Sequence, residues 1–285
     1  RRQRQMCIRD SFTNTRGKAL STGWFGLSTA EFLMPVTIIY ALTIMDWRNI
    51  WIIISVAIIL FLPLVSYFLV KEVKLSSRED DNEVIKENIK QWKRSEVIKD
   101  YRFIIIALNM LAMPWIATGI FVYQSFILSA KNWGEYTIAQ SFMVYSIASV
   151  LTLFVAGYLI DKFTSRKLLI YMNIPFLISL LILIYFQSPI SSFFFLGLIG
   201  VSNGFANVLG SSTWAELYGV KFIGSIKALT TALMVFSTAF GTALFGLMID
   251  FDFSIEQISM ISGGYILISL ILLFLIKNKL NPTIL

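Results

Sequence analysis

Eight long apolar segments recur along the chain, and each is long enough to cross a bilayer as a helix. They comprise residues 19–45, 50–70, 103–128, 136–160, 168–186, 190–214, 223–249 and 257–276. A transmembrane barrel needs strands of about ten residues with alternating polarity, and these continuous runs do not alternate. The chain is also 56% hydrophobic and only 14% charged, which lies far outside the composition of soluble domains. The sequence therefore predicts an all-α, polytopic helical membrane protein.

Residues 1–11 differ in character from the rest of the chain. They resemble the conceptual translation of a sequencing adapter, so we interpret them as an artefact and exclude them; the alternative is a basic amino-terminal arm. The exclusion removes Cys7, the only cysteine, and the formal net charge of +7 falls by three because four Arg and one Asp are lost. The remaining charge is no evidence for a nucleic-acid partner, and none is expected.

The other basic residues indicate how the eight spans are oriented. Of the 24 Lys and Arg, 20 remain once Arg1, Arg2, Arg4 and Arg9 are set aside; 18 of these lie at odd-numbered connections and two, Arg48 and Lys131, at even-numbered ones. The positive-inside rule assigns the richer set to the cytoplasm. We therefore predict a multi-pass protein of the cell membrane (the inner membrane in a bacterium) whose linker and carboxy terminus are cytoplasmic.

Residues 71–100 form the one long polar interruption, with eight acidic and eight basic residues. This balance is typical of a solvated linker, and Glu83–Trp92 has the pattern of an amphipathic helix. Two spans precede the linker and six follow it.

A repeated phrase connects the two sides of this linker. Lys18–Thr22, running to Ser28–Ala30, recurs at a constant offset as Lys227–Thr231, running to Ser237–Ala239. Repeats between halves are typical of transporters built by duplication; chance is the alternative, since small residues are common in membrane helices. The repeat pairs span one with span seven. It predicts that the intact protein has twelve helices, of which this chain holds eight.

The turn between spans four and five carries the clearest motif. Its pattern is G-x-x-x-D-[KR]-x-x-x-[KR]-[KR], formed by Gly157, Asp161, Lys162, Arg166 and Lys167. Glycine allows two helices to approach closely, and Asp161 can pair with Lys162 or Arg166. Such contacts would break and re-form in a conformational switch; the alternative is an ordinary basic turn.

This motif resembles the cytoplasmic loop motif of the major facilitator superfamily, at the place of that family's carboxy-half copy. Arg16–Ala19 is similar to the family's basic entry to helix five, and Asp46–Arg48 to its tight outer turn. The resemblance covers residues 12–285 and implies the major facilitator fold. Residues 12–70 would be helices five and six, residues 71–100 the cytoplasmic linker, and residues 101–285 the carboxy-terminal six-helix half. The phrase at Arg16–Gly26 resembles the monocarboxylate and oxalate/formate carrier branch.

Glu31 is the most consequential ionisable residue. It lies about twelve residues into span one, near mid-membrane at a rise of about 1.5 Å per residue. Because a charge there costs about 2.5–3.5 kcal/mol, the side chain should face the bundle or an aqueous path. Trp24, Ser28, Glu31 and Pro35 share one helical stripe. Glu31 is therefore a candidate for proton coupling or solute binding; the alternative is a structural Glu between packed helices.

Uncharged amides are the other candidates for the solute or proton pathway. Asn203 and Asn207 share a face of span six with Ser211 and Trp214, and span three carries Asn109 and Gln124. In the family that this chain resembles, these two spans would be helices ten and seven, which line the central cavity. The competing interpretation is hydrogen bonding between helices, at about 0.6 kcal/mol per bond.

A charged pair flanks the turn before span seven. Glu216 and Lys227 could form a cytoplasmic gate, or could be plain end-of-helix charges.

The sequence predicts a transporter and not an enzyme. There is no His for acid–base catalysis, no P-loop for ATP-driven pumping and no dinucleotide fingerprint, so no cofactor or metal is expected. The hypothesis is a monomeric secondary transporter that moves a small solute by alternating access, as a proton-coupled organic-anion carrier in the lipid bilayer. The alternatives are a drug or cation exporter of the same superfamily and, in another class, a non-transporting membrane sensor or scaffold.

Overall fold

A computed structural model of the protein describes residues 16–70 and 90–281; the side chains of residues 16–28, 66, 68–70, 161 and 211 are outside that description. Throughout these ranges the regular structure is helical. The chain divides into two compact units, residues 1–83 and 84–285. The interpretation of residues 1–11 as adapter falls outside the described residues.

The amino-terminal unit contains two long helices, α1 (Arg16–Leu42) and α2 (Trp47–Val70). The four-residue turn between them is closed by backbone bonds and by the Thr43 hydroxyl, which donates to the Tyr40 carbonyl at 2.7 Å. Arg48 lies 4.6 Å from the centre of the Trp47 ring, so the predicted tight turn carries a cation–π contact at its exit. Each helix contains one proline, Pro35 in α1 and Pro63 in α2.

The described part of the carboxy-terminal unit is a helical bundle. Its elements are α3 (Arg94–Val97), α4 (Tyr101–Ala112), a π-helical turn (Met113–Ala117), α5 (Thr118–Val122), α6 (Gln124–Lys131), α7 (Glu135–Phe163), α8 (Ser165–Met172), α9 (Ile174–Tyr185), α10 (Ser191–Tyr218), α11 (Ile223–Asp250), α12 (Ile255–Ile276) and a 3₁₀ turn (Lys277–Lys279).

Seven stretches of the described residues are long and apolar enough to cross a membrane. They correspond to the second to eighth predicted spans, with shifts of a few residues at their ends. The first predicted span is α1, whose described apolar part is Thr29–Leu42. The all-α membrane architecture is therefore confirmed.

Two predicted spans are interrupted helices. Pro114 lacks an N–H, and the helix passes it as a π-helical turn before a further break at Tyr123. The other span breaks at Asn173, between α8 and α9, where the Asn173 amide donates to the Asn109 carbonyl at 2.6 Å. Both breaks lie inside continuous apolar runs, so hydropathy alone does not reveal them.

Residues 90–100, which we call the strap, pack against the carboxy-terminal bundle instead of forming solvated linker. Val97 is fully buried, and the backbone N–H of Trp92 donates to the Tyr218 carbonyl at 3.1 Å. The amphipathic helix expected at Glu83–Trp92 is wrong in its described part, because residues 90–93 are not helical and the helix begins at Arg94. The backbone N–H of Trp92 is bonded to the Tyr218 carbonyl, so it is not available for a hydrogen bond within a helix. Residues 71–89 lie outside the described residues.

Helices α7 and α10 pack through glycines. A Cβ on Gly200 would collide with the Tyr145 carbonyl, and one on Gly204 would lie 2.6 Å from the Ser149 carbonyl. Without side chains at these positions the two backbones approach closely, which is the usual basis of helix association in lipid. This close pair positions the polar face of α10 that carries Asn203 and Asn207.

Candidate functional site

Charged side chains gather at one end of the carboxy-terminal bundle, where α8 begins and α10 and α12 end. We call it the basic end. Glu216, in the last turn of α10, accepts hydrogen bonds from the Ser165 N–H at 3.0 Å and from the Ser165 hydroxyl. Its other oxygen lies 2.9 Å from Nε of Arg166. Both partners of this ion pair are about one-quarter exposed, which makes it stronger than a fully solvated pair.

Arg166 also reaches the end of the chain. Its Nη1 donates to the Leu280 carbonyl at 3.1 Å and to Oδ1 of Asn281 at 2.8 Å. One motif arginine therefore joins the ends of α10 and α12, and its planar guanidinium suits such divergent acceptors.

The other motif residues have surroundings different from those of Arg166. A Cβ built on Gly157 meets none of the described residues within 4 Å, so the expected close approach of helices at this glycine stays a prediction. Lys162 and Lys167 are exposed. The side chain of Asp161 lies outside the described residues, so its pairing stays a prediction.

The ion pair that the structure gives Glu216 is with Arg166. Lys227 lies in the second turn of α11 and has an interaction of its own. A gate formed by Glu216 and Lys227 therefore stays a prediction.

A second network connects the strap to the bundle at the basic end. Asp100 accepts from the backbone N–H of Arg102 and forms an ion pair with its guanidinium at 2.8 Å. The Tyr218 hydroxyl donates to the same carboxylate at 3.1 Å, and Arg102 donates onward to the Asn281 carbonyl. The carboxylate is nearly buried but has three donors, which satisfies its charge.

The amino-terminal end of the strap carries a smaller ion pair. Glu96 accepts from the Lys93 N–H at 2.7 Å and lies 3.2 Å from the Lys90 ammonium. The backbone bond, helped by the ammonium, holds the pKa of Glu96 below its ordinary value.

The amides of α10 occupy two environments. Asn203 donates to the Ser149 hydroxyl on α7 at 3.1 Å, so it links the two helices. Asn207 is partly exposed and makes no side-chain hydrogen bond to the described residues. Trp214 does not share their accessible face, because it is 2% exposed and packs against Phe103. The described polar stripe thus ends before Trp214.

Asn109 is fully buried between three helices. Its amide donates to the Ser269 hydroxyl on α12 at 3.3 Å, while its backbone carbonyl receives the Asn173 amide. Among the described residues, Oδ1 of Asn109 has no partner. These contacts favour the alternative interpretation, in which Asn109 holds helices together. Gln124 is exposed at the start of α6 beside an apolar hollow lined by Ile120, Phe142 and Phe195.

Glu31 lies in the second half of α1, and its side chain is partly buried. Its role in proton coupling stays a prediction.

Sequence reasoning missed an ion pair at the opposite end of the bundle. Lys131, at the end of α6, has a fully buried side chain, and its ammonium lies 2.7 Å from the Glu256 carboxylate at the start of α12. Nearby, the Trp133 indole donates to the Gln187 carbonyl at 2.9 Å. The partners are far apart in sequence, so no local pattern predicts them. The only available signal was the scarcity of basic residues at that membrane face.

The family model described as Major Facilitator Superfamily matches residues 4–242 and 104–284. The first match begins within residues 1–11, whose interpretation as adapter stays a prediction. No curated protein matches this chain. With family matches across most of its length, the chain belongs to the major facilitator superfamily, whose members are secondary transporters and not enzymes.

Proposed function

We propose that this chain carries a small solute by alternating access, with the solute bound near Asn207 and with Glu31 coupling transport to protons. The observation that supports the solute site is the state of the Asn207 amide. It is partly exposed on α10 and makes no side-chain hydrogen bond to the described residues. Such an amide offers two donors and an acceptor to a polar solute without burying a charge.

The conformational switch in this proposal is the turn between α7 and α8. Arg166 binds Glu216 and the Leu280–Asn281 segment there; these contacts lie within the carboxy-terminal unit, and in this proposal they break and re-form as the ends of α8, α10 and α12 rearrange between the two states. Asp161, Lys162 and Lys167 belong to the same motif and to the same proposed role.

We favour a drug or cation as the solute over a monocarboxylate, and therefore an exporter over a monocarboxylate-like carrier. A carboxylate solute needs a cation at membrane depth, and every described Lys or Arg of the membrane helices lies within two turns of a helix end. The buried Lys131 is already paired with Glu256. Glu31 would attract a cation or a proton, so its charge supports the exporter.

Proteoliposomes containing the full-length protein, with the first four predicted helices restored, test both parts of the proposal. We expect an outwardly directed proton gradient to drive accumulation of the cationic dye ethidium in exchange for protons, and an inwardly directed gradient not to drive accumulation of radiolabelled lactate. Lactate accumulation under the inward gradient would instead support the organic-anion carrier, which takes up a proton with each lactate. If neither gradient moved its probe, the membrane sensor or scaffold would be the remaining alternative.

The coupling role of Glu31 has its own test in the same vesicles. Glu31→Gln keeps the size and hydrogen bonding of the side chain but removes its titration. It should abolish gradient-driven accumulation and spare solute exchange, because protons then no longer bind the two states differently. Glu135→Gln, at an exposed carboxylate in the first turn of α7, is the matched control. Unchanged gradient dependence in Glu31→Gln would make Glu31 structural.

A third variant examines the solute site alone. Asn207→Ala should weaken the apparent affinity for the solute about tenfold at every pH, because the amide is lost and no titrating group changes. An unaltered KM would remove Asn207 from the site.

A further inference from the structure

Three lysines of the basic end lie on two neighbouring segments that form one corner of the bundle. Lys167 lies in the first turn of α8, and Lys277 and Lys279 form the 3₁₀ turn after α12; all three are exposed. The bonds from Arg166 to Leu280 and Asn281 hold these two helix ends together. Arg166 itself is committed to Glu216, and within the described residues none of the three lysines forms an ion pair. The corner therefore has a positive charge that no described acidic side chain neutralises.

Each side of this corner continues as an exposed apolar stripe along the membrane helix. On α8 and α9, Tyr171, Ile174 and Ile178 follow Lys167 at helical spacing, and each is at least 36% exposed. On α12, the Lys277 ammonium lies 3.7 Å from the centre of the Phe274 ring, which is 54% exposed, and Ile271 follows one turn away. Helices α9 and α12 contact each other, so the two stripes border adjacent helices.

We propose that this corner is a binding site for an anionic phospholipid. The headgroup phosphate binds Lys167, Lys277 and Lys279, and the acyl chains lie along the stripes that begin at Tyr171 and Phe274. Basic pockets between membrane helices suit such headgroups, and a lysine stacked on an aromatic ring at the bilayer surface matches the boundary between headgroup and acyl chain. A soluble anion would use the charge but not the apolar stripes, so the combination favours a lipid.

The test is a titration of the purified, delipidated full chain followed by native mass spectrometry. The ligands are dioleoyl-phosphatidylglycerol and dioleoyl-phosphatidylcholine, and the variant combines Lys167→Gln, Lys277→Gln and Lys279→Gln. The matched control combines Lys93→Gln, Lys99→Gln and Lys221→Gln, which removes three exposed lysines from other places at the same end.

We expect phosphatidylglycerol to bind the unmodified chain and the control variant equally well and to bind the corner variant at least tenfold more weakly. Each lysine near an anionic lipid contributes about fivefold, the equivalent of about 1 kcal/mol. Binding should also weaken with salt, and excess inorganic phosphate should not displace the lipid. Equal affinity of the corner and control variants, equal affinity for the two lipids, or displacement by phosphate would overturn the proposal.

Discussion

Thr164 has a backbone conformation that a β-branched residue rarely adopts, with φ 73° and ψ 147°. This region is nearly restricted to glycine and costs about 1–3 kcal/mol. The threonine hydroxyl is also buried and has no partner among the described residues. The adjacent Ser165 and Arg166 both bind Glu216, which holds the turn in this conformation. The strained residue Thr164 therefore lies directly beside the two residues that fix the motif turn to Glu216.

Thr164→Gly should therefore stabilise the protein. The relief of strain exceeds the entropy cost of a glycine, about 0.5–1 kcal/mol, so the net gain is about 1 kcal/mol. The apparent Tm in detergent should rise by about 2–4 °C. Thr164→Ala is the control: it removes the unpartnered hydroxyl but keeps Cβ, so it should gain less than glycine. A Tm at or below that of the unmodified chain for the glycine variant would show that the turn is not strained.

At the residue scale, the sequence shows where the charged and polar side chains lie along the chain better than it shows which residues they contact. The basic turn at Arg166 and the charge at Glu216 are both visible in the sequence, but 50 residues separate them, and nothing local says that they meet. Lys131 and Glu256 are further apart still, and each looks like a solvated helix end. The sequence places Asn109 with the cavity amides because of the helix it lies on, whereas its contacts depend on which way that helix is rotated. Rotation depends on the packing of all its neighbours.

Helix α10 offers a matched pair of glycines for testing how the elements pack. Gly200→Ala should destabilise the protein by about 1–3 kcal/mol, because the new Cβ meets the Tyr145 carbonyl and a backbone atom cannot move aside as a side chain can. Gly210→Ala, in the same helix, meets none of the described residues within 4 Å.

The Gly210→Ala variant should be neutral or more stable, because alanine favours helix. Thermal stability in detergent, followed by fluorescence-detected size exclusion, measures both variants. Equal losses of stability would mean that the contact between α7 and α10 is looser than described.

At the element scale, hydropathy predicted the helices because lipid requires every backbone polar group to be bonded within its own segment. It could not predict the breaks. Pro114 signals one by its missing N–H, and Pro175, at the start of α9, signals the other; the tertiary contact of the Asn173 side chain with Asn109 is what the sequence does not show. The strap shows a different error, in which a segment that the sequence predicts to be solvated packs on the bundle. The charge pattern of residues 90–100 looks solvated, yet the buried Val97 and the partly buried Trp92 pack on the bundle, so apolar packing outweighs several neighbouring charges.

At the scale of the whole molecule, each of the two units contains a pair of long helices joined by a short turn. Helices α1 and α2 are joined by the four-residue turn 43–46, and α11 and α12 by the four-residue turn 251–254. The repeated phrase Lys18–Thr22 and Lys227–Thr231 lies near the start of the first helix in each pair. This correspondence is what the duplication hypothesis requires. Superposition of α1 and α2 on α11 and α12 is its test, and an antiparallel or failed match would contradict it.

The orientation of the molecule in the membrane is the last prediction, and cysteine labelling measures it. With Cys7→Ser as background, Ser95→Cys places a thiol in the strap and Ser188→Cys places one in the exposed turn between α9 and α10. The positive-inside rule assigns the strap to the cytoplasm, because 18 of the 20 basic residues considered lie at connections on its side. In intact bacterial cells a membrane-impermeant maleimide should label the thiol at position 188 and not the one at 95. Permeabilised cells should label both, which controls for burial. Labelling of position 95 in intact cells would reverse the topology, and with it the assignment of the Arg166–Glu216 contact to the cytoplasmic side.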